Sequence, residues 1–418
     1  MFFLGFQGSK ASFTEHQSHL LVLGPPRSGK TSSFVIPNLL SFDGPAVVTS
    51  TKDDVLEATL MERSKRGHVW LFDPSNASDL KGRVRKASWS PVEAASSLDG
   101  AVKAADICVD VALGVSTGAD RHWSERAKAL LAPLLLAANF ADAPIADVVG
   151  WIDVRALEEP KAILSAKGAF RALQILSSIE QSEERERSAI FSSTSGALSM
   201  YRFDGALDAG EENTFRPDAF VRSKDTLFVV APSSVQKVVA PLVVSLIDRI
   251  REETFILSRK GSKGKVALFL DEMANIAPLP NLGSILSEGA SQNLYLLGCL
   301  QDLSQAEARW PKLSKGMFTL FGTTVVLPGV ADPDTLKTLS LLSGVKISKE
   351  LTLGENKDKR RSGLSRSTRL RESPFLEPYN LARIRSKRAI VFEPRHGLRE
   401  IDLAPYFDGR GLVERGSR

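Results

Sequence analysis

The residues with the clearest chemical potential form a glycine-bounded turn near the start of the chain. Residues 24–31 spell GPPRSGKT and fit the pattern G-x-x-x-x-G-K-[ST]. The turn follows the apolar run 20–23 and precedes residues 32–40, which we expect to be helical, so it should join a strand to a helix. Backbone N–H groups of such a turn curl around a polyphosphate, and the helix points its positive end at the same anion.

This turn predicts a set of phosphate-binding and metal-binding residues. Gly29 allows close approach of the backbone, Lys30 brings a positive charge to the β- and γ-phosphates, and the Thr31 hydroxyl can complete the coordination of a bridging Mg²⁺ ion. The alternative is a plain turn with an exposed lysine, but the long pattern and both flanks favour a nucleotide site. The predicted binding residues are Gly24, Pro25, Pro26, Arg27, Ser28, Gly29, Lys30, Thr31 and Ser32.

An acidic pair far downstream supplies the second half of a nucleotide-hydrolysis site. The apolar run 266–270 ends at Asp271 and Glu272. In such a site the first carboxylate contacts Mg²⁺ and the second orients the attacking water. Alone this signal is weak, because surface strands often end in acidic residues, and the glycine turn strengthens it. Lys30 and Asp271 lie 241 positions apart (271 − 30), far more than the roughly 30 residues of one βαβ unit, which predicts a long insertion.

A third candidate is Gln301, which follows the apolar run 293–300. An amide at the end of a strand beside the Asp271 strand could bond the γ-phosphate or the attacking water. The alternative is a loop glutamine that bonds only to solvent. The interpretation depends on the other two motifs.

Composition limits the class of protein. The chain has 418 residues, 43% of them hydrophobic and 25% charged, which is typical of a folded protein with two or three domains. The net charge of +5 permits nucleic acid or an anionic membrane surface as a partner without requiring either. Cys108 and Cys299 lie among apolar residues without metal-ligand spacing, so we expect buried thiols in a reducing compartment. No apolar run reaches the roughly 18 residues of a membrane span.

The order of the elements predicts an α/β fold with a parallel-rich twisted sheet flanked by helices and ligands at the carboxyl ends of the strands. Residues 100–221 are rich in alanine and leucine without a β-like run, so we expect an inserted all-α domain. Residues 1–99 and 222–418 would then be the two parts of one nucleotide-binding domain. Segment 346–373 is basic and serine-rich, which indicates a mobile basic loop that is solvated or contacts nucleic-acid backbone, and 394–418 is expected to be a tail.

The chain resembles the conjugative coupling ATPases of type IV secretion systems, the TraG/TraD group within the FtsK/HerA class of P-loop motors. The strongest motifs are GPPRSGKTSSFVIPNLL at 24–40 and FLDEMANI at 269–276. The others are Asp73-Pro74, Trp89-Ser90-Pro91, the segment 122–136, Pro278 to Pro280, Gln301 with 302–310, and 322–344.

This resemblance implies a RecA-like motor domain, an all-α domain that recognises cargo, and ATP-driven passage of DNA or effector protein through a homo-hexamer. Transferred by position, Lys30 and Thr31 would bind phosphate and Mg²⁺, Asp271 the metal and Glu272 the water. Gln301 would sense the γ-phosphate. The partners would be DNA, DNA-bound protein and channel components, at the cytoplasmic face of the cell membrane.

The chain departs from many family members in two places. A two-helix membrane anchor at the N-terminus is not found, which suggests a soluble variant or the cytoplasmic portion of a longer chain. Gly289-Ala290 stands where many members have Gly-Arg, so an arginine that serves a neighbouring subunit would lie elsewhere. The candidates are Arg27, Arg187, Arg309 and Arg385.

Two other functions stay open: an FtsK-type pump for double-stranded DNA, and a cargo adaptor in which nucleotide only sets conformation.

Overall fold

The structure is a computed structural model that describes residues 1–79, 83–114, 119–358 and 361–408, with side chains described for all of these except 119–120, 348–358 and 361–371. The strands are β1 (Phe3–Gln7), β2 (Lys10–Phe13), β3 (His19–Leu23), β4 (Ala46–Ser50), β5 (Val69–Phe72), β6 (Arg85–Lys86), β7 (Thr226–Val230), β8 (Val266–Leu270), β9 (Leu294–Leu300), β10 (Gly322–Val326), β11 (Val345–Asp358), β12 (Arg361–Pro374), β13 (Arg388–Glu393) and β14 (Gly397–Asp402).

The helices are α1 (Ile36–Ser41), α2 (Asp54–Ser64), α3 (Pro91–Ala94), α4 (Leu98–Leu113), α5 (Ala119–Ala141), α6 (Ile145–Asp153), α7 (Glu158–Ala166), α8 (Phe170–Glu180), α9 (Glu184–Ala197), α10 (Asp204–Glu211), α11 (Pro217–Phe220), α12 (Gln236–Arg259), α13 (Met273–Ile276), α14 (Leu282–Glu288), α15 (Leu303–Arg309), α16 (Met317–Phe321), α17 (Pro333–Leu342) and α18 (Pro378–Ala382). A π-helical turn at Thr31–Val35 leads directly into α1.

One large sheet organises the described residues. Its strand order is β2-β1-β14-β13-β10-β3-β9-β8-β4-β7-β5-β6. Neighbouring strands from β10 to β6 are parallel, and the pairs from β10 outward to β2 are antiparallel. The predicted α/β class with a parallel-rich sheet is therefore confirmed.

Fully buried strands explain the continuous apolar runs in the sequence. All five residues of β3 are buried. Leu20 and Val22 belong to one hydrophobic cluster, whereas Leu21 and Leu23 belong to another on the opposite face of the sheet. Because alternate residues of a strand lie on opposite faces, helices must cover both sides of this sheet.

The chain leaves the sheet after β6 and re-enters it at β7. Between these strands the described residues form the helices α3 to α11. Their apolar side chains share one hydrophobic cluster with one face of the sheet and with α12. The helical character expected for 100–221 is observed, while the division into domains at 99 and 221 stays a prediction.

The segment expected to be a mobile basic loop has regular backbone structure instead. β11 and β12 form an antiparallel two-stranded ribbon whose register runs from Val345 opposite Pro374 to Asp358 opposite Arg361. The prediction was wrong because low apolar content was given more weight than the period-2 pattern Val345, Ile347, Leu351, Leu353. Lys359 and Arg360 lie outside the described residues.

The expected tail contains a strand. β14 pairs antiparallel with β13 over six residue pairs and contacts β1 at Phe6 opposite Asp402. The prediction was wrong because β14 is mostly half-exposed and lacks the apolar run that marked the buried strands. Residues 409–418 of the expected tail lie outside the described residues.

Candidate nucleotide-binding site

The glycine turn leaves the carboxyl end of β3, near the centre of the sheet. The Gly24 N–H donates to the Leu300 carbonyl oxygen of β9 at 3.1 Å. Arg27 and Gly29 have φ of +63° and +101°, and the second of these values favours glycine strongly. A Cβ atom on Gly24 would lie 2.4 Å from Ser28 Oγ and 2.9 Å from Leu327 Cβ, so a larger residue there would require these side chains to shift.

Lys30 is held inside the turn and is 7% exposed. Its Nζ donates to the carbonyl oxygens of Gly24 at 2.6 Å and Pro25 at 3.0 Å. The Lys30 ammonium therefore lies against the turn. From this position a lysine can bind a phosphate held by the same turn.

The structure brings the turn and the acidic pair together. Thr31 Oγ1 donates to Asp271 Oδ2 at 2.7 Å, although the two residues are 240 positions apart. The strand order explains this contact, because β9 alone separates β3 from β8 and parallel strands present their carboxyl ends at one edge. On the other side of β8, Thr49 Oγ1 of β4 donates to the Asp271 carbonyl oxygen at 2.9 Å.

Asp271 occupies a buried position. Burial raises the pKa of its carboxyl group, and the hydrogen bond from Thr31 and the charge of Lys30 oppose that shift. The side chains at this point are a hydroxyl and a carboxylate, the hard oxygen donors that Mg²⁺ prefers. The arrangement therefore fits a magnesium ion, which would offset the cost of burying the carboxylate.

Glu272 leaves the strand in a left-handed conformation, with φ +56° and ψ +46°. Its Oε2 accepts a hydrogen bond from Asn275 Nδ2 at 3.3 Å, and the side chain is half-buried. Left-handed backbone at a residue other than glycine costs energy and is concentrated at functional sites.

A cavity of about 430 Å³ contains both motifs. Its lining comprises Pro26, Arg27, Ser28, Gly29, Lys30, Thr31, Ser32, Ser50, Thr51, Lys52, Asp54, Asp271 and Glu272. Ser50 at the end of β4 and the three lining residues that follow it were not predicted as site residues from the sequence, because they match no motif. The signal that would have found them is the position of β4 beside β8, which only the sheet order gives.

Gln301 lies at the same edge of the sheet but is not among the described residues that line this cavity. It directly follows β9, between β3 and β8, and its backbone N–H donates to Gln305 Oε1 at 2.9 Å. The predicted strand position is observed, while the sensing role stays a prediction.

The four candidate arginines are spread over the molecule. Arg27 lines the cavity and is exposed. Arg187 pairs with Glu184 and donates to the Glu180 carbonyl oxygen. Arg309 and Arg385 are exposed. The geometry does not select one of them for a neighbouring subunit.

Other expectations concern thiols, metals and membranes. Cys108 and Cys299 are buried free thiols, as predicted. Within the described ranges, His, Cys, Asp and Glu side chains form no group of three that could hold a metal by themselves. None of the helices in the described part of the chain combines the length and apolar character that a bilayer crossing requires.

The strand order, the glycine turn and the adjoining acidic pair define a P-loop nucleoside triphosphatase fold. The family model for type IV secretory system conjugative DNA transfer matches residues 4–408, and the chain belongs to this family. This membership confirms the family resemblance found in the sequence.

Two curated relatives show how the chain compares in length. Conjugal transfer protein TraG of Escherichia coli is 24% identical over 323 residues, which cover 70% of this chain and 49% of that protein. Conjugal transfer protein TraG of Agrobacterium fabrum (strain C58) is 25% identical over 426 residues, covering 93% and 59%. The chain thus matches only about half the length of these relatives.

Solved structures share the fold. The unbound bacterial conjugative coupling protein TrwBdeltaN70 has a TM-score of 0.68 and 16% identity, over 93% of this chain and 85% of that one. The plasmid coupling protein TrwB in complex with ADP and Mg²⁺ has a TM-score of 0.68 and 18% identity over the same shares. At this identity the likeness establishes the fold.

Proposed function

We propose that this chain hydrolyses ATP and uses the energy to recruit DNA, or protein bound to DNA, to a type IV secretion channel and move it through. The observation that carries the catalytic part is the 2.7 Å contact between Thr31 and Asp271, with Lys30 and Glu272 on the same cavity. Membership of the conjugative DNA transfer family supports the choice of cargo.

The positions of the site residues support one role for each. The backbone of residues 24–32 would cradle the phosphates, and the Lys30 ammonium would exchange its carbonyl partners for phosphate oxygens. Glu272 would accept a proton from, or orient, the attacking water. Gln301, at the end of the strand between the two motifs, would respond to the γ-phosphate.

Thr31 and Asp271 would hold the magnesium ion, which supplies charge neutralisation on the phosphates. Such ions are bound by one or two protein ligands, with phosphate oxygens and water completing the octahedron. The pair of oxygen donors in contact here matches that requirement.

The assembly belongs to the same proposal. A homo-hexamer at the cytoplasmic face of the membrane would place an arginine of one copy near the nucleotide of the next, where such groups increase phosphoryl-transfer rates by several orders of magnitude. The curated relatives are longer than this chain. The contacts with DNA cargo and with secretion-channel components are therefore also part of the proposal.

Phosphate release by the purified chain tests this function. With ATP and Mg²⁺ we expect turnover that DNA stimulates. Lys30→Ala should lose nucleotide binding and at least about 100-fold in rate, whereas Glu272→Gln should lose a similar factor and retain binding. Lys65→Ala, at an exposed lysine directly after α2, is the control and should match the wild type.

The outcomes separate the alternatives. Equal phosphate release by wild type and Lys30→Ala, with or without DNA, would exclude the ATPase. Strict stimulation by duplex DNA would favour a double-strand pump. Unaltered cargo transfer by Glu272→Gln would favour an adaptor whose nucleotide only sets conformation.

A further inference from the structure

The segment that follows β4 forms one wall of the nucleotide cavity and has no role in the function proposed above. Residues 50–52 and Asp54 line the cavity. β4 lies beside β8 on the side away from β3, and Thr49 Oγ1 of β4 donates to the Asp271 carbonyl oxygen at 2.9 Å. The acidic pair therefore has the glycine turn on one side and this segment on the other.

Hydrogen bonds fix the backbone of this segment. The Lys52 N–H donates to Ser50 Oγ at 3.3 Å, and Ser50 Oγ donates to Asp54 Oδ1 at 3.2 Å. Asp53 Oδ2 accepts from Ser78 Oγ at 2.9 Å, which ties the segment to the loop after β5. A side chain that acts on a substrate needs such a fixed attachment point.

Lys52 is the cation on this wall of the cavity. Its side chain is exposed, and it forms no ion pair with a carboxylate of the described residues. The cavity is lined by three cations and three carboxylates, so its formal charges cancel, and loss of Lys52 would leave an excess negative charge that repels a polyphosphate. These six residues are Arg27, Lys30, Lys52, Asp54, Asp271 and Glu272.

The fold alone does not account for a lysine at this place. Lys52 lies two residues before α2, which begins at Asp54. The N-terminus of a helix carries a partial positive charge and favours anions, so a cation beside it gains nothing from the helix dipole. A bound anion would make this position favourable.

The γ-phosphate is the part of the nucleotide that this wall faces. A triphosphate held by the glycine turn would direct its γ-phosphate towards the acidic pair, because the magnesium ion between Thr31 and Asp271 bridges the β- and γ-phosphates. Lys52, at the end of the strand beside β8, would meet the same phosphate from the side of β4. A lysine serves here as a compact point charge on a flexible four-carbon stem.

We propose that Lys52 is a further catalytic residue that contacts the γ-phosphate of bound ATP, an inference that rests on the proposed function. The oxygen of water bonds to the γ-phosphorus as the bond from that phosphorus to the bridging oxygen breaks. ADP keeps the electron pair of the broken bond, and a proton of the water passes to Glu272. Charge spreads over the γ-phosphoryl oxygens during this step, and the Lys52 ammonium, which keeps its protons, would stabilise it.

Binding of two nucleotides to the whole chain tests the contact without turnover. Calorimetry would compare the Mg²⁺ complexes of ADP and of a slowly hydrolysed ATP analogue. Because only the analogue has a γ-phosphate, Lys52→Gln should weaken its binding by about 10-fold and that of ADP by less than about 2-fold. Lys52→Arg keeps the charge and should recover most of the affinity for the analogue.

Turnover tests the catalytic part of the inference. The kcat of Lys52→Gln should fall by on the order of 100-fold, a larger factor than the loss of affinity. Lys65→Gln is the matched control, because it removes the same charge from an exposed lysine directly after α2. It should leave both affinities and kcat within about 2-fold of the wild type.

Two results would overturn the inference. One is equal binding of the analogue by wild type and Lys52→Gln, or an equal loss for ADP and the analogue, since neither indicates contact with the γ-phosphate. The other is an unaltered kcat in Lys52→Gln. A wild type that binds the analogue and releases no phosphate from ATP would instead contradict the proposed ATPase, and a loss in Lys52→Gln selective for the analogue would still support the contact.

Discussion

Asp271 is a carboxyl group whose burial carries a free-energy cost. Burial raises the pKa of its carboxyl group, and Thr31 and Lys30 only partly offset this. A raised carboxyl pKa means that the folded state binds a proton more readily than the unfolded state. Its contribution to stability is therefore present at low pH and is lost as the pH rises through the folded-state pKa.

The first prediction at the residue scale concerns Asp271→Asn. The amide can still accept from Thr31 but carries no charge, so at pH 7.5 the urea midpoint without nucleotide should equal or exceed that of the wild type. Stabilisation by Mg²⁺ and a slowly hydrolysed ATP analogue should shrink. At a ligand concentration of about 100 times the wild-type Kd it would be about 2.7 kcal/mol for the wild type, and about 1.4 kcal/mol for a variant that binds tenfold more weakly.

Thr31→Ser is the control, since it keeps the hydroxyl. A lower midpoint for Asp271→Asn without ligand, together with undiminished stabilisation by the Mg²⁺ complex, would show that the carboxylate does not serve a metal.

At the scale of elements, helix α2 is attached to the sheet by a buried arginine. Arg63 has no exposed surface, and its Nε donates to Thr226 Oγ1 of β7 at 2.6 Å. Its terminal nitrogens donate to the carbonyl oxygens of Phe42 at 2.6 Å and Gly44 at 2.8 Å. Burial lowers the pKa of Arg63 to about 10, so the guanidinium stays charged at neutral pH.

Replacing Arg63 with methionine should destabilise the protein strongly. The side chain of Arg63→Met fills most of the volume but leaves buried carbonyl oxygens without donors, which should lower the free energy of unfolding by about 3 kcal/mol or more. Urea denaturation followed by tryptophan fluorescence would measure the change. Lys65→Met, at the exposed residue directly after the same helix, should alter it by less than about 0.5 kcal/mol. A loss below about 1 kcal/mol in Arg63→Met would show that water replaces these bonds.

Another element, α12, connects the helical segment to the sheet. Cys108 Sγ of α4 lies 3.4 Å from Ser245 Oγ of α12, and Arg249 pairs with Glu93 at 3.3 Å. Asn281, a few residues beyond the acidic pair, donates to Asp248 of the same helix. These contacts join α12 to the helical segment on one side and to the segment after Glu272 on the other.

The sequence predicts elements well where the physical signal is local. The buried strands that end at Gly24 and Asp271 are continuous apolar runs, so their existence and their chemistry could be inferred together. β14 was missed because it has little buried face, and burial is what makes apolar patterns visible. β11 and β12 were missed because charged and hydroxyl residues outnumber apolar ones in their sequence. The residues at the end of β4 reach the cavity because β4 lies beside β8. This strand order is set by tertiary packing, and no local motif in the sequence indicates it.

At the scale of the whole molecule, stability depends on a buried histidine at the start of the central strand. His19 is 2% exposed, and its Nδ1 accepts from the Leu296 N–H at 3.1 Å. Burial lowers its pKa from 6.5 to about 4. Between these values the unfolded chain binds a proton that the folded chain does not, so stability falls as the pH falls.

We expect His19 to make the unfolding free energy fall by up to about 3 kcal/mol from pH 7 to pH 4, from the 2.5-unit difference between the two pKa values. In His19→Asn, whose amide oxygen can replace Nδ1 as the acceptor, this part of the pH dependence should disappear. Urea midpoints at several pH values provide the measurement, and His16→Asn at an exposed site is the control. Parallel pH profiles for wild type and His19→Asn would contradict the assignment.

The large sheet ends in very short strands, and this has a consequence for how copies of the chain can associate. Its two outer strands are β2, with four residues, and β6, with two. A border this short offers few free N–H and C=O groups for an incoming strand. Association through the borders of the large sheet is therefore disfavoured, and this sheet is protected against growing from one molecule into the next.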